Sequence, residues 1–233
     1  MPQLQQTLLP INPEGAGIMQ TGPAGWLVNP IANMCMGALL VDADGWVIHP
    51  DIKIYRRPNL HHGKLEYIHV IIVHQTGSSS AQSTLESYSN PGANGAHFLV
   101  DKDGKIYQTG SLFWKQHHVG KLRARCLAES RCKPIEAKLL SRMSAKNRNT
   151  YEMKKQVPDR YPSNQDSIGI ELVAGTIGPG PDPFFEQATD AQNTSLSWLV
   201  ARLTTQFGVP MTEIFRHPQV SQKDPHEAET AKW

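Results

Sequence analysis

Val70-Ile71-Ile72-Val73-His74-Gln75-Thr76-Gly77 is the stretch on which the reading of this chain turns. An apolar run of strand length ends abruptly in a histidine, and a polar, glycine-containing turn follows. A side chain at a strand end is held rigidly at the rim of its sheet, and imidazole nitrogen binds divalent metals well. Phe215-Arg216-His217-Pro218 repeats the arrangement late in the chain: an apolar approach, one histidine, then a break. Between the two, Ser167-Ile168-Gly169-Ile170-Glu171-Leu172-Val173 carries a single carboxylate within a β-branched run. Two rim histidines and a strand-borne glutamate point to a metal-activated water and its base, which is hydrolase chemistry.

Working outward, Ala96–Val100 and Lys105–Gln108 flank Asp101-Lys102-Asp103-Gly104 and read as a hairpin across an Asp-Gly turn. Residues 83–89 read as a short helix stopped by Asn90-Pro91-Gly92. Leu196, Leu199, Val200, Leu203 and Phe207 recur at three- and four-residue steps, the stripe of a helix packed on a sheet, and Gly208-Val209-Pro210 stops it. Strands and helices are mixed, so the expected class is α/β with a mixed central sheet flanked by helices. Residues 1–65 are rich in Pro and Gly and read as an N-terminal extension packed on a main domain at 66–233. Within the extension, Met36–Val41 and Trp46–Ile48 read as a strand and its return. Residues 121–165 are strongly basic, hold two cysteines and read as an insertion with helical stretches such as Ile135–Met143.

The chain has 233 residues, 39% hydrophobic and 19% charged, which describes an ordinary globular protein. A net charge of +2 gives no field that argues for nucleic acid, and no apolar run approaches the ~20 residues that span a bilayer. Met1–Pro10 lacks the basic region and apolar core of a secretory signal, so the expectation is a cytoplasmic protein or export by a route without a cleaved signal. Of the three cysteines, Cys126 and Cys132 are close enough to pair in an oxidising compartment; three reduced thiols is the favoured reading. No cysteine lies near the rim histidines in sequence, which argues against a thiolate ligand.

A hydrolytic zinc site takes three protein ligands and keeps one position for water. His74 and His217 supply two, and the tail Ser221-Gln222-Lys223-Asp224-Pro225-His226 offers Asp224 and His226 for the third. Of the ten histidines, His61, His62, His69 and His117 lack such context and read as structural or solvated.

Val-His-Gln-Thr at 73–76, Gly95–Gly104, His118-Val119-Gly120, Ser167–Glu171, the Leu-rich helix and His217 occur in an order that resembles the zinc-dependent N-acetylmuramoyl-L-alanine amidases. These include phage lysozyme amidases, peptidoglycan-recycling amidases and peptidoglycan recognition proteins. The resemblance covers roughly residues 66–228 apart from the insertion. It implies that His74 and His217 bind zinc, that the residue before a tail proline, Asp224, completes the site, and that Glu171 is the general base. Phage lysozyme amidases place a tyrosine directly before the hairpin histidine; here that residue is Ala96, which adds weight to Glu171. The family's oxyanion-stabilising lysine stands two residues before the last ligand. Here that position is Gln222 and the lysine is Lys223, so the tail is one residue out of register and His226 stays open as the ligand. His97 and His118 are expected to contact substrate or orient other groups. The chemistry fits independently: zinc polarises an amide carbonyl and lowers the pKa of bound water to about 7. Glu171 would move the water's proton to the leaving amine, and Lys223 would oppose charge on the carbonyl oxygen. The expected substrate is peptidoglycan, cut between N-acetylmuramic acid and L-alanine. The extension and basic insertion also resemble antibacterial effectors delivered by type VI secretion into the periplasm of rival cells, with an immunity protein as partner. A phage lysin, a recycling enzyme or an inactive peptidoglycan-binding module are the alternatives.

Overall fold

The computed structural model describes residues 20–21, 27–28, 39–178 and 183–233. Readings made on Met1–Pro10, Cys35 and Met36–Ala38 therefore lie outside the described residues.

Gln20–Thr21 (β1) and Leu27–Val28 (β2) form an antiparallel pair, and so do Leu40–Val41 (β3) and Val47–Ile48 (β4). The second pair is turned by Asp42, whose carboxylate accepts the N–H groups of Asp44 and Trp46. In chain order there follow Ile52–Ile54 (β5), Val70–Gln75 (β6), Ala81–Ser87 (α1), Phe98–Val100 (β7) and Ile106–Gln108 (β8). Arg125–Ala128 (α2), Pro134–Arg142 (α3) and Ala145–Glu152 (α4) lie in the 121–165 segment. Ser167–Leu172 (β9), Thr176–Ile177 (β10), Phe184–Phe185 (β11), Asp190–Phe207 (α5), Ile214–Arg216 (β12) and His217–Val220 (α6) complete the order.

Six strands form one mixed sheet in the order β12-β6-β9-β7-β8-β5. Only β7 and β8 pair antiparallel within it, as the hairpin reading requires. The mixed α/β class stands. β5 shows how residues 39–65 attach: it is the outer strand of the main sheet, parallel to β8, and Leu39, Val47, Ile52 and Leu65 join the main core.

Alternation along β6 and β9 assigns the two faces. Ile71, Val73, Ile168, Ile170 and Leu172 point to the core that α5 covers with Leu196, Leu199, Val200 and Leu203. Full burial of each such side chain contributes about 1.5–3 kcal/mol. α5 begins in a capping box between Thr189 and Gln192 and ends at Gly208, whose φ of +67° is left-handed. On the other face Val70 and Ile72 meet Val119, Leu122, Tyr161, Phe215 and Val220, so the 121–165 segment helps to roof the side of the sheet that carries the histidines.

One cysteine expectation is corrected. Cys126 and Cys132 form a disulfide. The chain folds back after α2, where the N–H groups of Arg131 and Cys132 both donate to the Cys126 carbonyl, and this brings the two sulfurs together. Arg125 then ties the segment to the rest of the domain through Glu213, at 2.6 and 2.9 Å.

Candidate active site

Strand register builds the first half of the site. His74 on β6 lies opposite Glu171 on the parallel β9, so both side chains leave the same face of the sheet. Phe215 on β12 lies opposite Ile72, and His217, two residues further on, reaches the same face beside His74. The two imidazole rings are 4.2 Å apart between centroids.

Hydrogen bonds then fix which nitrogen of each histidine stays free. Ser167 Oγ donates to the Ser163 carbonyl at 2.6 Å, so it can accept from His118 Nε2 at 3.3 Å. His118 Nδ1 is thereby left to accept from His74 Nε2 at 2.9 Å, and the lone pair of His74 is at Nδ1. His217 Nε2 donates to the Val119 carbonyl at 2.8 Å, which puts its lone pair at Nδ1 as well. Carbonyl and side-chain partners of this kind fix the tautomer of metal-binding histidines.

Both free nitrogens face Glu227. Its carboxylate lies 2.9 and 3.0 Å from His217 Nδ1 and 3.3 Å from His74 Nδ1. The three donor atoms lie within 4.8 Å of one another, and all three residues are buried. Zinc bonds of about 2.0–2.2 Å in a tetrahedron put ligand atoms roughly 3.3 Å apart, so the residues present fit such an ion. Three converging acceptors also repel one another until a positive charge, proton or metal, sits among them. Burial raises the Glu227 carboxyl, but when a proton sits between it and the imidazoles their hydrogen bonds and charge outweigh burial and hold the group at about 2. Burial, helped by His217, holds His74 down at about 4. At neutral pH Glu227 is an anion and His74 neutral, the forms a metal binds.

The third member of this trio departs from expectation. Asp224 lies outside it: its carboxylate accepts the His226 N–H at 3.0 Å and its carbonyl accepts the Glu227 N–H at 3.2 Å. Asp224 is engaged in the turn that swings Glu227 inward. His226 is also outside, its ring 4.0 Å from that of Phe184 and its Nδ1 3.3 Å from Glu229. Only the burial of Glu227 singles it out, and nothing in its neighbourhood of the sequence announces that.

Glu171 stands beside the trio. Its carboxyl is pushed up to about 7, chiefly by burial and further by Glu227, against a hydrogen bond from Tyr88 and the charges of His217 and Lys223. Tyr88, buried at the end of α1, donates its hydroxyl to Glu171 Oε2. Gly95 makes room for that ring, since a Cβ there would overlap it. A phenol thus reaches the strand carboxylate although Ala96 precedes the hairpin histidine, a contact that sequence reasoning missed. Lys223 is exposed, and its charge acts on both His74 and Glu171.

A family described as N-acetylmuramoyl-L-alanine amidase matches residues 64–227, which span every group of the site. The chain belongs to the N-acetylmuramoyl-L-alanine amidase family. Among solved structures the amidase is similar to a Se-Met AmpD derivative, with TM-score 0.48, 18% identity, and coverage of 80% of this chain and 92% of that one. It is also similar to the catalytic domain of XlyA, with TM-score 0.46, 20% identity, and coverage of 74% and 87%. No curated protein matches it.

His97 and His118, expected to contact substrate or to orient other groups, both turn into the protein. His97 is fully buried; its Nδ1 accepts the Gly169 N–H at 3.1 Å and its Nε2 donates to the Trp114 carbonyl at 3.1 Å. With both nitrogens engaged inside the protein it ties β7 to β9 and has no valence left for substrate. His118 likewise has both nitrogens engaged and orients His74. Gly169 is what admits the His118 ring: a Cβ there would lie 2.9 Å from its Cγ and Nδ1.

Proposed function

We propose that this amidase hydrolyses the bond between the lactyl group of N-acetylmuramic acid and L-alanine in peptidoglycan, with a zinc ion held by His74, His217 and Glu227. The observation that carries this reading is the convergence of two histidine lone pairs and a buried carboxylate beside Glu171. When bound, the ion supplies Lewis acidity for the amide carbonyl and for the attacking water. Glu171, near neutrality, takes a proton from that water and returns it to the leaving nitrogen of L-alanine. Tyr88 holds the carboxylate in place while it does so. Lys223, whose charge reaches His74 and Glu171, would oppose the negative charge that grows on the carbonyl oxygen. His118 and the Val119 carbonyl keep the two imidazoles in the binding tautomer.

Incubation with purified sacculi, with and without a chelator, tests the reading. Release of fragments with the mass expected for cleavage at the lactyl–alanine bond, abolished by chelator and restored by zinc, is the expected result. Binding to sacculi with no release would instead mark an inactive binding module.

We infer that the protein acts outside the cytoplasm as an antibacterial effector, exported by secretion machinery and countered in the producer by an immunity protein. The Cys126–Cys132 pair supports this, because oxidising compartments are where disulfides persist. Directing the chain to the periplasm of a test bacterium should lyse it, while cytoplasmic expression should not; lysis in neither case would remove the effector role.

A further inference from the structure

Charge is distributed very unevenly in this chain. Residues 121–165 hold twelve Lys and Arg against four Asp and Glu, a balance of +8, while the whole chain is +2 and the remainder therefore −6. Part of this charge is internal: Arg125, Arg131, Lys155 and Arg160 pair with Glu213, Glu129, Glu136, Glu152 and Asp166. Another part is not. On α3, Ile135, Lys138, Leu139 and Arg142 follow at steps of three and four and so share one face. Ile135 is 86% exposed and Leu139 45%, while Leu140, on the opposite side, is fully buried with Ala124 and Cys126. Lys138 and Arg142 are exposed, and neither meets a carboxylate among the described residues. Lys133 and Lys146 stand exposed just before and just after this helix.

We propose that this face of α3 docks on an anionic lipid bilayer. The cations ask for an anionic partner, and the acidic remainder of the chain does not supply one at this face. A hydrated polyanion would match the charges but leave Ile135 and Leu139 in water. A bilayer surface with anionic head groups satisfies both, with head groups for the cations and the upper acyl region for the two apolar side chains. The helix would lie on the surface, and no helix among the described residues is long and apolar enough to cross a membrane. The disulfide ties the approach to α3 back to α2, and the Arg125–Glu213 pair ties α2 to the rest of the domain, so docking would set the height and orientation of the whole protein over the membrane.

Flotation of the full chain with vesicles tests this, independently of the proposed amide chemistry. The wild type should bind phosphatidylcholine vesicles containing about one-third phosphatidylglycerol at least tenfold more than pure phosphatidylcholine, less so as salt rises. Lys138→Glu with Arg142→Glu should lower that binding about tenfold or more, and Ile135→Ser with Leu139→Ser severalfold. Melting temperature and cleavage of soluble muropeptide should stay at wild-type levels in both double variants. Equal binding to neutral vesicles, or no effect of charge reversal, overturns the proposal. Full binding by the serine pair, with capture on soluble polyglutamate, means a polyanion site and also overturns it. Self-association in the absence of lipid that the same substitutions abolish means a contact between copies, with the same consequence.

Discussion

β6 and the tail at residues 221–229 serve the same site with unequal support. His74 sits in a strand hydrogen-bonded on both sides, and its position follows from the register with β12 and β9. Glu227 sits on a series of turns with no sheet ladder behind it. What holds it are side chains from elsewhere: Gln75 Oε1 accepts the Ala228 N–H at 2.7 Å, and Arg216 donates to the carbonyls of Ala228 and Ala231 at 2.9 and 2.8 Å. Ala228 has φ +60°, a left-handed conformation that costs a residue with a Cβ roughly 1–2 kcal/mol. The backbone alone would not choose that geometry, so the anchors impose it. A site can thus combine members placed by the sheet with one placed by side-chain tethers, and the tethered member is the more easily moved.

The largest expected effect tests which tail residue belongs to the site. Glu227→Ala should drop zinc from about one per chain to a small fraction and abolish turnover, because two histidines make a poor zinc site. Asp224→Ala should keep the metal and lose only about 1 kcal/mol from the turn. Metal analysis of the two purified variants decides it, and the reverse pattern would return Asp224 to the ligand set.

Next in size is Glu171→Gln, on the sheet side. Loss of a general base costs about 10²–10⁴-fold, so turnover of a muropeptide should fall by that order while zinc content stays unchanged. Near-normal turnover would make Glu171 structural; loss of zinc would make it a ligand.

Gly169→Ala probes how tightly the sheet side is packed. With a Cβ 2.9 Å from the His118 ring, the ring must shift, and overpacking of this kind costs about 1–3 kcal/mol in denaturant titration. An unchanged midpoint would show that His118 moves freely.

The smallest effect is a displacement in pH. Glu171 acts as a base only when ionised, so turnover should rise with pH through its pKa; burial pushes that pKa up to about 7, which sets this limb. Tyr88→Phe removes a hydrogen bond that stabilises the carboxylate, and the limb should move up by about one unit. A pH profile that does not move would mean that the phenol only packs.

What could be read in the sequence follows the same division. A strand that ends in histidine, a strand interrupted by one glutamate and a helix with a regular apolar stripe are local patterns, and His74, Glu171, His217 and α5 could be found from them. Glu227 could not, because its placement depends on Gln75, distant in the chain, and on a strained Ala228. Tyr88 was hidden for a related reason: its partner is on β9, and the space it fills is left by Gly95. His97 and His118 were legible as important histidines but not as internal ones, since only the tertiary structure shows where their second nitrogens go.

Four neighbouring strands, β12, β6, β9 and β7, run in the same direction, and this gives the two ends of the sheet different freedoms. The connections that leave their C-terminal ends, including the turn after Gln75 and the Asp101–Gly104 turn, open on the rim where the histidines stand. Changes in those loops alter what reaches the site. The connections at the opposite end, near His69, Asp166 and Glu213, lie a strand's length away from it. The connection before β9 is the exception, because Ser163 and Asn164 brace Ser167, His118 and Val119. New segments, fusion partners or tethers attached near His69 would leave the cutting edge as it is, so one framework can be carried to different places without relearning its reaction.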